Sequence, residues 1–420
     1  MGTRCTDIYR GAKYRFSFDV LDATKLIPEE MVAVTPVGRM VLNRNPDNFF
    51  AETEQVAFCA AHVIPGIDFS NDPLLAGRIH SYIDTQITRL GGPNFHEIPI
   101  NSPIAPVANN QRDGMHRQTL HRGRVSYEPN SLSGGCPFQA GSAGFMSFPA
   151  AIEEDKVRGK SEKFAEHYAQ ATLFFNSQTE VEKAHIIAAF RFELSKLTVP
   201  AIRERMLASL VNVSPALAAG IAAGLGMAVP PALPKALAKA PAPEVKVSPA
   251  LSLMALPGEC GIRTRQIAIV IADGVHRASL AAIHAALEAE GAVVHFVGPR
   301  VGKFVTDEGA TIEADKSMEN SPSVLFDALM LPDGDKAVET LSRNGHTMEY
   351  IKDQFRHCKA ILAVGASRKL LEMAGILPLA GKDPGILLTE ASKAADAAPA
   401  FIAAIAAHRH SSRDSDPPKV

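Results

Sequence analysis

Arg78-Ile79-His80-Ser81-Tyr82-Ile83-Asp84-Thr85-Gln86, continued by Ile87-Thr88-Arg89-Leu90-Gly91-Gly92-Pro93-Asn94-Phe95, is the stretch from which the rest of the chain is read. Its spacing predicts a helix. Arg78, Tyr82 and Gln86 recur at i, i+4 and i+8, and Arg89 follows three later, so the four side chains share one face. A guanidinium one turn from a phenol favours the ionised form, because an opposite charge nearby stabilises the phenolate. A phenolate is a hard oxygen ligand suited to ferric iron. The same spacing also fits an amphipathic helix whose Arg and Tyr are partly exposed, and spacing alone leaves both readings open.

Composition narrows the class. The chain has 420 residues, 46% hydrophobic and 21% charged, enough to bury a large core in two or three domains. A formal net charge of -2 gives no reason to expect nucleic acid or an anionic membrane as partner. The five cysteines (Cys5, Cys59, Cys136, Cys260, Cys358) are scattered, which suits a reducing cytoplasm better than a disulfide framework. Met1–Arg10 is too polar and charged to open a secretory signal. The most apolar run, Leu217–Val229, is short, glycine-broken and followed by prolines, so no membrane span is expected.

Residues 1–12 show no clear pattern. Alternation from Lys13 to Val20 predicts a half-buried strand, and Met31–Asn43 a second one kinked at Pro36. Arg44–Asn48 is a turn, Phe49–Phe58 a helix or ordered loop, and Val63–Phe69 an extended segment. Residues 102–160 have little periodicity and read as one long loop. Helical periodicity runs through Phe164–Asn212 and on through Pro215–Leu225. Val229–Pro249 is an Ala, Pro, Lys and Val linker within the span 229–262. Beyond it come a strand at Ile267–Ile271, a helix at Ser279–Glu290 and a strand at Val293–Val297. A hairpin at Lys303–Ile312 and a strand at Ala328–Met330 follow, then helices at Ala337–Ser342 and Met348–His357 and a strand at Ala360–Val364. That alternation predicts a parallel sheet with helices on both faces over 263–410, with a tail at 411–420.

The run Arg78-x-x-x-Tyr82-x-Asp84-Thr85-Gln86, with Arg89-Leu90-Gly91 and Pro93-Asn94-Phe95, resembles the proximal haem-ligand signature of the haem catalases. Glu97-Ile98-Pro99-Ile100-Asn101 and Gln111-Arg112-Asp113-Gly114-Met115 resemble the large-subunit branch of that family. The resemblance reaches from about Lys13 into the C-terminal domain. It implies an α+β multidomain protein. Residues 1–101 would be an incomplete catalase β-barrel with the ligand helix, 102–160 its wrapping loop and 161–228 its helical domain. Residues 263–410 would be a flavodoxin-like domain of the class I glutamine amidotransferase type. It also implies haem, b or modified, as cofactor, hydrogen peroxide as substrate, a homotetramer and a cytoplasmic location. Tyr82 would be the axial iron ligand, in keeping with tyrosine as a haem ligand, and Arg78 its support. Arg89 would meet a propionate, Phe58 and Leu74 would pack the proximal haem face, and Gln86 would lie beside the porphyrin. Without the resemblance, Phe58 and Leu74 read as plain core.

In the family the distal histidine and asparagine lie upstream of the part that Lys13 matches. The expectation is therefore a C-terminal portion with no distal catalytic residue of its own, in which residues 13–100 fold poorly and the chain as a whole has little or no catalase activity. His62, His80, His96 and His116 read as ordinary histidines. The alternatives are an inactive fragment and a haem-binding protein without turnover. Cys59, where some large-subunit relatives carry a histidine joined to the proximal tyrosine, is expected to be a buried, inert thiol. In the amidotransferase-like domain Gly365 stands where a nucleophilic cysteine would be. Cys358 lies at the wrong end of the sheet and Ser367 lacks an evident base, so hydrolase chemistry is not expected there.

Overall fold

A computed structural model describes residues 2–6, 16–64, 66–104, 114, 117–120, 122, 132, 141, 144, 146–147, 155, 157, 159, 162–237, 239, 241–254, 261–415 and 420. The chain forms two compact units, Met1–Gln178 with Lys183–Leu253, and Met254–Val420 with Thr179–Glu182.

Of the barrel expected over 1–101, the described residues hold one antiparallel ribbon, β1 (Gly2–Thr6) with β2 (Val34–Arg39). β1 falls in the region without a sequence pattern. The register slips between Thr3 and Arg4, so that Arg4 faces Pro36. Proline has no N–H to give a ladder, and a bulge is where a strand tolerates it. The strand expected from Lys13 is not formed over its described residues. Ser17 N–H and Oγ–H donate to the Glu244 carboxylate, and Leu21 N–H to Asp19 Oδ1 at 3.0 Å. These side chains take donors a ladder would have used. The alternation instead reports burial, since Phe16 and Phe18 are buried against each other at 5.2 Å.

α1 (Pro73–Leu90) carries the signature face. Four further helices follow: α2 (Ala169–Ser177), α3 (Glu180–Ser195), α4 (Pro200–Val211) and α5 (Pro215–Leu225). Their apolar periodicity closes a core of Phe175, Leu194, Leu207, Leu210, Leu217 and Ile221, with Ile186 and Phe190 against it. α3 and α5 approach closely at Gly220 and Gly224. A Cβ at Gly224 would lie 2.3 Å from Arg191 Nε, and that guanidinium donates through Nε and Nη2 to Gly220 O at 3.0 and 2.7 Å. Gly224→Ala should gain about 1 kcal/mol of helix propensity. It should lose about 1–3 kcal/mol to overpacking and about 1 kcal/mol more in displaced hydrogen bonds. A lower melting temperature is expected in a thermal melt. The segment 229–252 is pinned along this unit. Leu233 N–H donates to Ala208 O at 3.0 Å, Ser248 N–H to Ser177 Oγ at 2.8 Å and Gln178 Nε2 to Leu251 O at 3.0 Å.

The second unit begins with β3 (Gln266–Val270), α6 (Arg277–Ala289) and β4 (Val293–Gly298). An antiparallel hairpin of β5 (Gly302–Val305) and β6 (Thr311–Ala314) precedes the two-residue β7 (Lys316–Ser317). β8 (Ala328–Leu331), α7 (Asp335–Ser342), α8 (Gly345–Arg356) and β9 (Ala360–Val364) follow. Beyond the elements read from sequence lie α9 (Arg368–Met373), β10 (Ile386–Thr389) and α10 (Ala394–Ala406). The six-stranded sheet runs β10-β9-β8-β3-β4-β7, all parallel. Its central strands are near-continuous apolar runs, as covering both faces requires. Ile267, Ile269, Leu329, Leu331, Ile361 and Val364 are fully buried. The tail expected from 411 begins later, because Arg413 is buried in this unit and bonded to Asp383 and to Lys359 O.

Candidate functional site

The sequence starts and stops α1 cleanly. The Asp72 carboxylate accepts from Leu74 N–H at 2.8 Å, Pro73 takes the first turn, and Gly91 closes the helix at φ 84°. That end needs a left-handed residue, and glycine adopts one without a Cβ penalty. Leu74, Arg78, Tyr82 and Gln86 then stand at successive i+4 steps along one stripe.

The structure brings five of the six expected residues together. Arg78 Nη2 donates to the Tyr82 hydroxyl at 3.3 Å, and its guanidinium lies over the Tyr82 ring at 5.2 Å and the Phe58 ring at 6.0 Å. Phe58 meets Tyr82 edge-on, 5.4 Å between centroids. Gln86 is turned inward, 3% exposed, and donates to Phe58 O at 3.1 Å. Arg89 donates to Gln86 Oε1 at 2.8 Å, and to the carbonyls of Glu54 at 2.6 Å and Val56 at 2.8 Å. Gln86 and Arg89 thus act as struts that hold the 54–58 backbone against α1. Leu74 stands on the same stripe, two turns before Tyr82. The plain-core reading of Phe58 and Leu74 fails, since they are 61% and 53% exposed. Both present apolar surface, Phe58 beside the phenol.

A residue that sequence reasoning gave no role completes the frame. Asn101 Oδ1 accepts from Ala57 N–H at 2.7 Å, while its Nδ2 donates to Gln55 O at 2.8 Å and Phe95 O at 3.1 Å. It clamps the backbone just before Phe58, whose carbonyl Gln86 holds. The signal was its place in Glu97-Ile98-Pro99-Ile100-Asn101, but nothing in that text says which backbone an amide will reach.

The histidines take other positions. His62 stacks on Phe95 at 5.6 Å and meets His96 at 6.1 Å; burial pushes the pKa of both imidazoles down. His80 is exposed on α1, and His116 lies outside the described residues. Cys59 is a buried free thiol. Among the described residues no group of three His, Cys, Asp or Glu side chains could hold a metal ion.

In the second unit the turn after β9 has the shape of a nucleophile elbow without room for a nucleophile. Gly365 has φ 54°, and a Cβ there would lie 2.2 Å from Asp333 Oδ1, which accepts Ala366 N–H at 2.7 Å. Ser367 is fully buried, and its hydroxyl donates to Val364 O at 2.8 Å and Leu331 O at 3.2 Å. Gly365→Ala or Gly365→Cys should therefore destabilise this unit by about 3 kcal/mol or more. It combines left-handed backbone strain with a displaced, hydrogen-bonded carboxylate. Chemical denaturation should show a lower midpoint, and no esterase activity should appear in G365C.

Comparison with known proteins places three family models on the chain. A catalase model matches residues 8–134, a catalase-related immune-responsive model 161–225, and a C-terminal domain found in long catalases 263–415. The first match begins upstream of the Lys13 start taken from sequence, across part of the unpatterned segment. Catalase HPII of Pseudomonas putida is 45% identical over 402 residues, 94% of this chain and 55% of that protein. Catalase HPII of Pseudomonas aeruginosa is 46% identical over 400 residues, 94% and 54%. Catalase-B of Dictyostelium discoideum is 44% identical over 413 residues, 97% and 58%. The chain spans about half the length of the curated relatives it matches.

Proposed function

Because the chain belongs to the catalase family, in its large-subunit branch, we propose that it serves hydrogen peroxide decomposition to water and dioxygen by supplying the proximal side of a haem site. The observation that carries the reading is the Tyr82 hydroxyl bonded by Arg78 on a helix face edged with exposed apolar side chains. The residues fit a haem. The donor is an anion-forming oxygen, a guanidinium stands beside it, and Phe58 and Leu74 offer apolar faces for a planar macrocycle. When bound, the haem iron supplies the electron exchange by which one peroxide is reduced and another oxidised.

The chain's own residues hold and tune that centre. Tyr82 Oη would be the axial ligand. The Arg78 N–H donates to that oxygen, and its planar fork also covers the ring. Phe58 fixes the phenol edge-on. Arg89 is placed by Glu54 O, Val56 O and Gln86, and it would turn its remaining donors to a propionate. Gln86 and Asn101 act through the backbone they hold and are positioning residues.

Haem b or a modified haem, a homotetramer and a cytoplasmic location belong to the same proposal. The cytoplasmic assignment rests on the scattered cysteines. Among the described residues no helix is long and apolar enough to cross a membrane. For the second unit we propose the flavodoxin-like type. Setting aside the two-residue β7, its strands run in the order second, first, third, fourth, fifth.

A second reading, haem binding without turnover, is favoured by one observation: the rings of His62 and His96 are engaged with each other and with Phe95. Oxygen release from peroxide by the haem-reconstituted chain separates the two. Release that Tyr82→Phe abolishes supports peroxide decomposition. Haem uptake without release supports the second reading.

A further inference from the structure

The N-terminal ends of β3, β8 and β9 stand side by side. Ile267 pairs with Ala328 and Ala328 with Ala360, so Gln266, Asp327 and Lys359 are level one residue earlier. Asp327 is stitched to β3. Its N–H donates to Gln266 O at 2.6 Å, its Oδ2 accepts Gln266 N–H at 2.9 Å, and its Oδ1 lies 3.5 Å from Arg265 Nη1. Lys359 is buried, and its ammonium donates to Val324 O at 3.0 Å and Phe326 O at 2.5 Å. The chain after α10 adds a third cation. His410 N–H donates to Cys358 O at 2.7 Å, which brings the half-buried Arg409 to this end of the sheet. Asp327 and Arg265 both act on the Arg409 charge. Among the described residues the hydrogen bond of its guanidinium is a local one, from Nη1 to His408 O at 3.0 Å.

Three cations held by fixed backbone therefore gather at this end of the sheet, where Asp327 pairs with Arg265 at 3.5 Å and its charge also reaches Lys359 and Arg409. The mismatch shows in the groups themselves. Burial and then the Arg409 charge push Lys359 down to about 8, and burial with Arg265 pushes Arg409 down, while Asp327 opposes both. An anion would relieve this field.

The backbone is strained at the same three places. Among the described residues, Thr264 (φ 67°), Cys358 (φ 58°) and His408 (φ 64°) are the non-glycine residues in the left-handed region. Each immediately precedes one of the three cations, Arg265, Lys359 and Arg409. Cys358 and His408 each follow a helix C-cap, His357 of α8 and Ala407 of α10, where a left-handed residue closes a helix; a non-glycine residue there is held by the surrounding structure.

We propose that this end of the sheet is an anion site for a tetrahedral oxyanion of the phosphate class, gripped by the Arg409 and Arg265 guanidiniums. His408 and His357 flank it, and Lys359 supplies field from beneath. A guanidinium with uncommitted N–H groups suits two oxygens of such a ligand. The site is independent of the haem face and of the proposed peroxide chemistry.

The test uses the full chain and inorganic phosphate, titrated by calorimetry and by thermal melts against chloride at equal ionic strength. Saturable binding with a raised melting temperature is expected, and sulfate should compete. Arg409→Gln should weaken phosphate at least about tenfold, and Arg265→Gln should weaken it as well. Arg343→Gln, at an exposed pair with Glu339 on α7, should leave it unchanged. If Arg409→Gln does not fold, Arg409→Lys keeps the charge with a different donor geometry and should still bind more weakly than wild type. Adenosine monophosphate serves as a second probe. Equal affinity means that the phosphate group alone is recognised, and tighter binding means that it belongs to a nucleotide. Phosphate acting no differently from chloride, or binding unchanged in Arg409→Gln, overturns the proposal.

Discussion

Tyr82→Phe is expected to lower haem affinity, or the turnover of any haem retained, by more than about 100-fold. Loss of a group that merely supports a ligand already costs about 10–100-fold, and Tyr82 would be the ligand itself. The substitution keeps the ring, so its edge-on contact with Phe58 should survive and the fold should not change. What disappears is the oxygen that Arg78 now bonds. Arg78→Ala should give the smaller, supporting-group effect of about 10–100-fold. Arg78→Lys should fall short of wild type because an ammonium cannot cover the ring and bond the oxygen as a planar fork does. The check is a haem titration followed by absorbance, with circular dichroism to show that the helix remains.

Arg413→Ala should destabilise the second unit by about 3–5 kcal/mol, the cost of leaving one member of a buried ion pair behind. The pair is 7% and 9% exposed. Arg413 Nε lies 2.5 Å from Asp383 Oδ2, Nη2 donates to Oδ1 at 2.9 Å, and Nη1 donates to Lys359 O at 2.5 Å. Gly385 leaves the space these groups fill, since a Cβ there would lie 2.1 Å from His410 and 2.3 Å from Arg413. For a unit of this size the melting temperature should drop on the order of 10 °C.

The pH dependence has a definite sign. Burial would raise the Asp383 carboxyl, but hydrogen bonds from Arg413 and Gly385 N–H outweigh it and hold the pKa low. Its contribution is present above about pH 4 and is lost as pH falls through the folded pKa. His410, kept low by burial first and by Arg413 second, takes up a proton less readily folded than unfolded. Stability therefore begins to decline as pH drops below about 6.5. Melts from pH 7 to pH 3 should fall in two stages, and Arg413→Ala should flatten the lower one.

The parts legible in sequence are those where periodicity and caps agree with tertiary packing. α1 is announced by Asp72-Pro73 and Gly91, and the helical unit by the spacing of Ile186, Phe190 and Leu194. The buried strands of the second unit are announced by unbroken apolar runs. The irregular backbone of Phe16–Val20 was not legible, because Phe16 and Phe18 alternate for burial while Glu244, distant in sequence, takes the backbone donor of Ser17. α10 carries Pro399 within it, and β10 is only Ile386–Thr389, so neither offered a clear period.

The site was legible in the same uneven way. Tyr82 and Arg78 follow from i+4 spacing on one helix. That Gln86 faces inward, that Arg89 braces Glu54 and Val56, and that Asn101 clamps the Phe58 segment depend on chain crossings no local pattern encodes. The three left-handed residues before Arg265, Lys359 and Arg409 were invisible for a related reason. Threonine, cysteine and histidine do not advertise a positive φ as glycine does.

The measurement that bears most directly on the account is a ferric haem titration of the full chain, with Tyr82→Phe alongside, followed by resonance Raman scattering from the bound haem. The account predicts one haem per chain with tyrosinate modes that vanish in Tyr82→Phe. Haem bound with the same spectrum in both proteins would mean that Tyr82 does not ligate the iron and that the proximal face lies elsewhere.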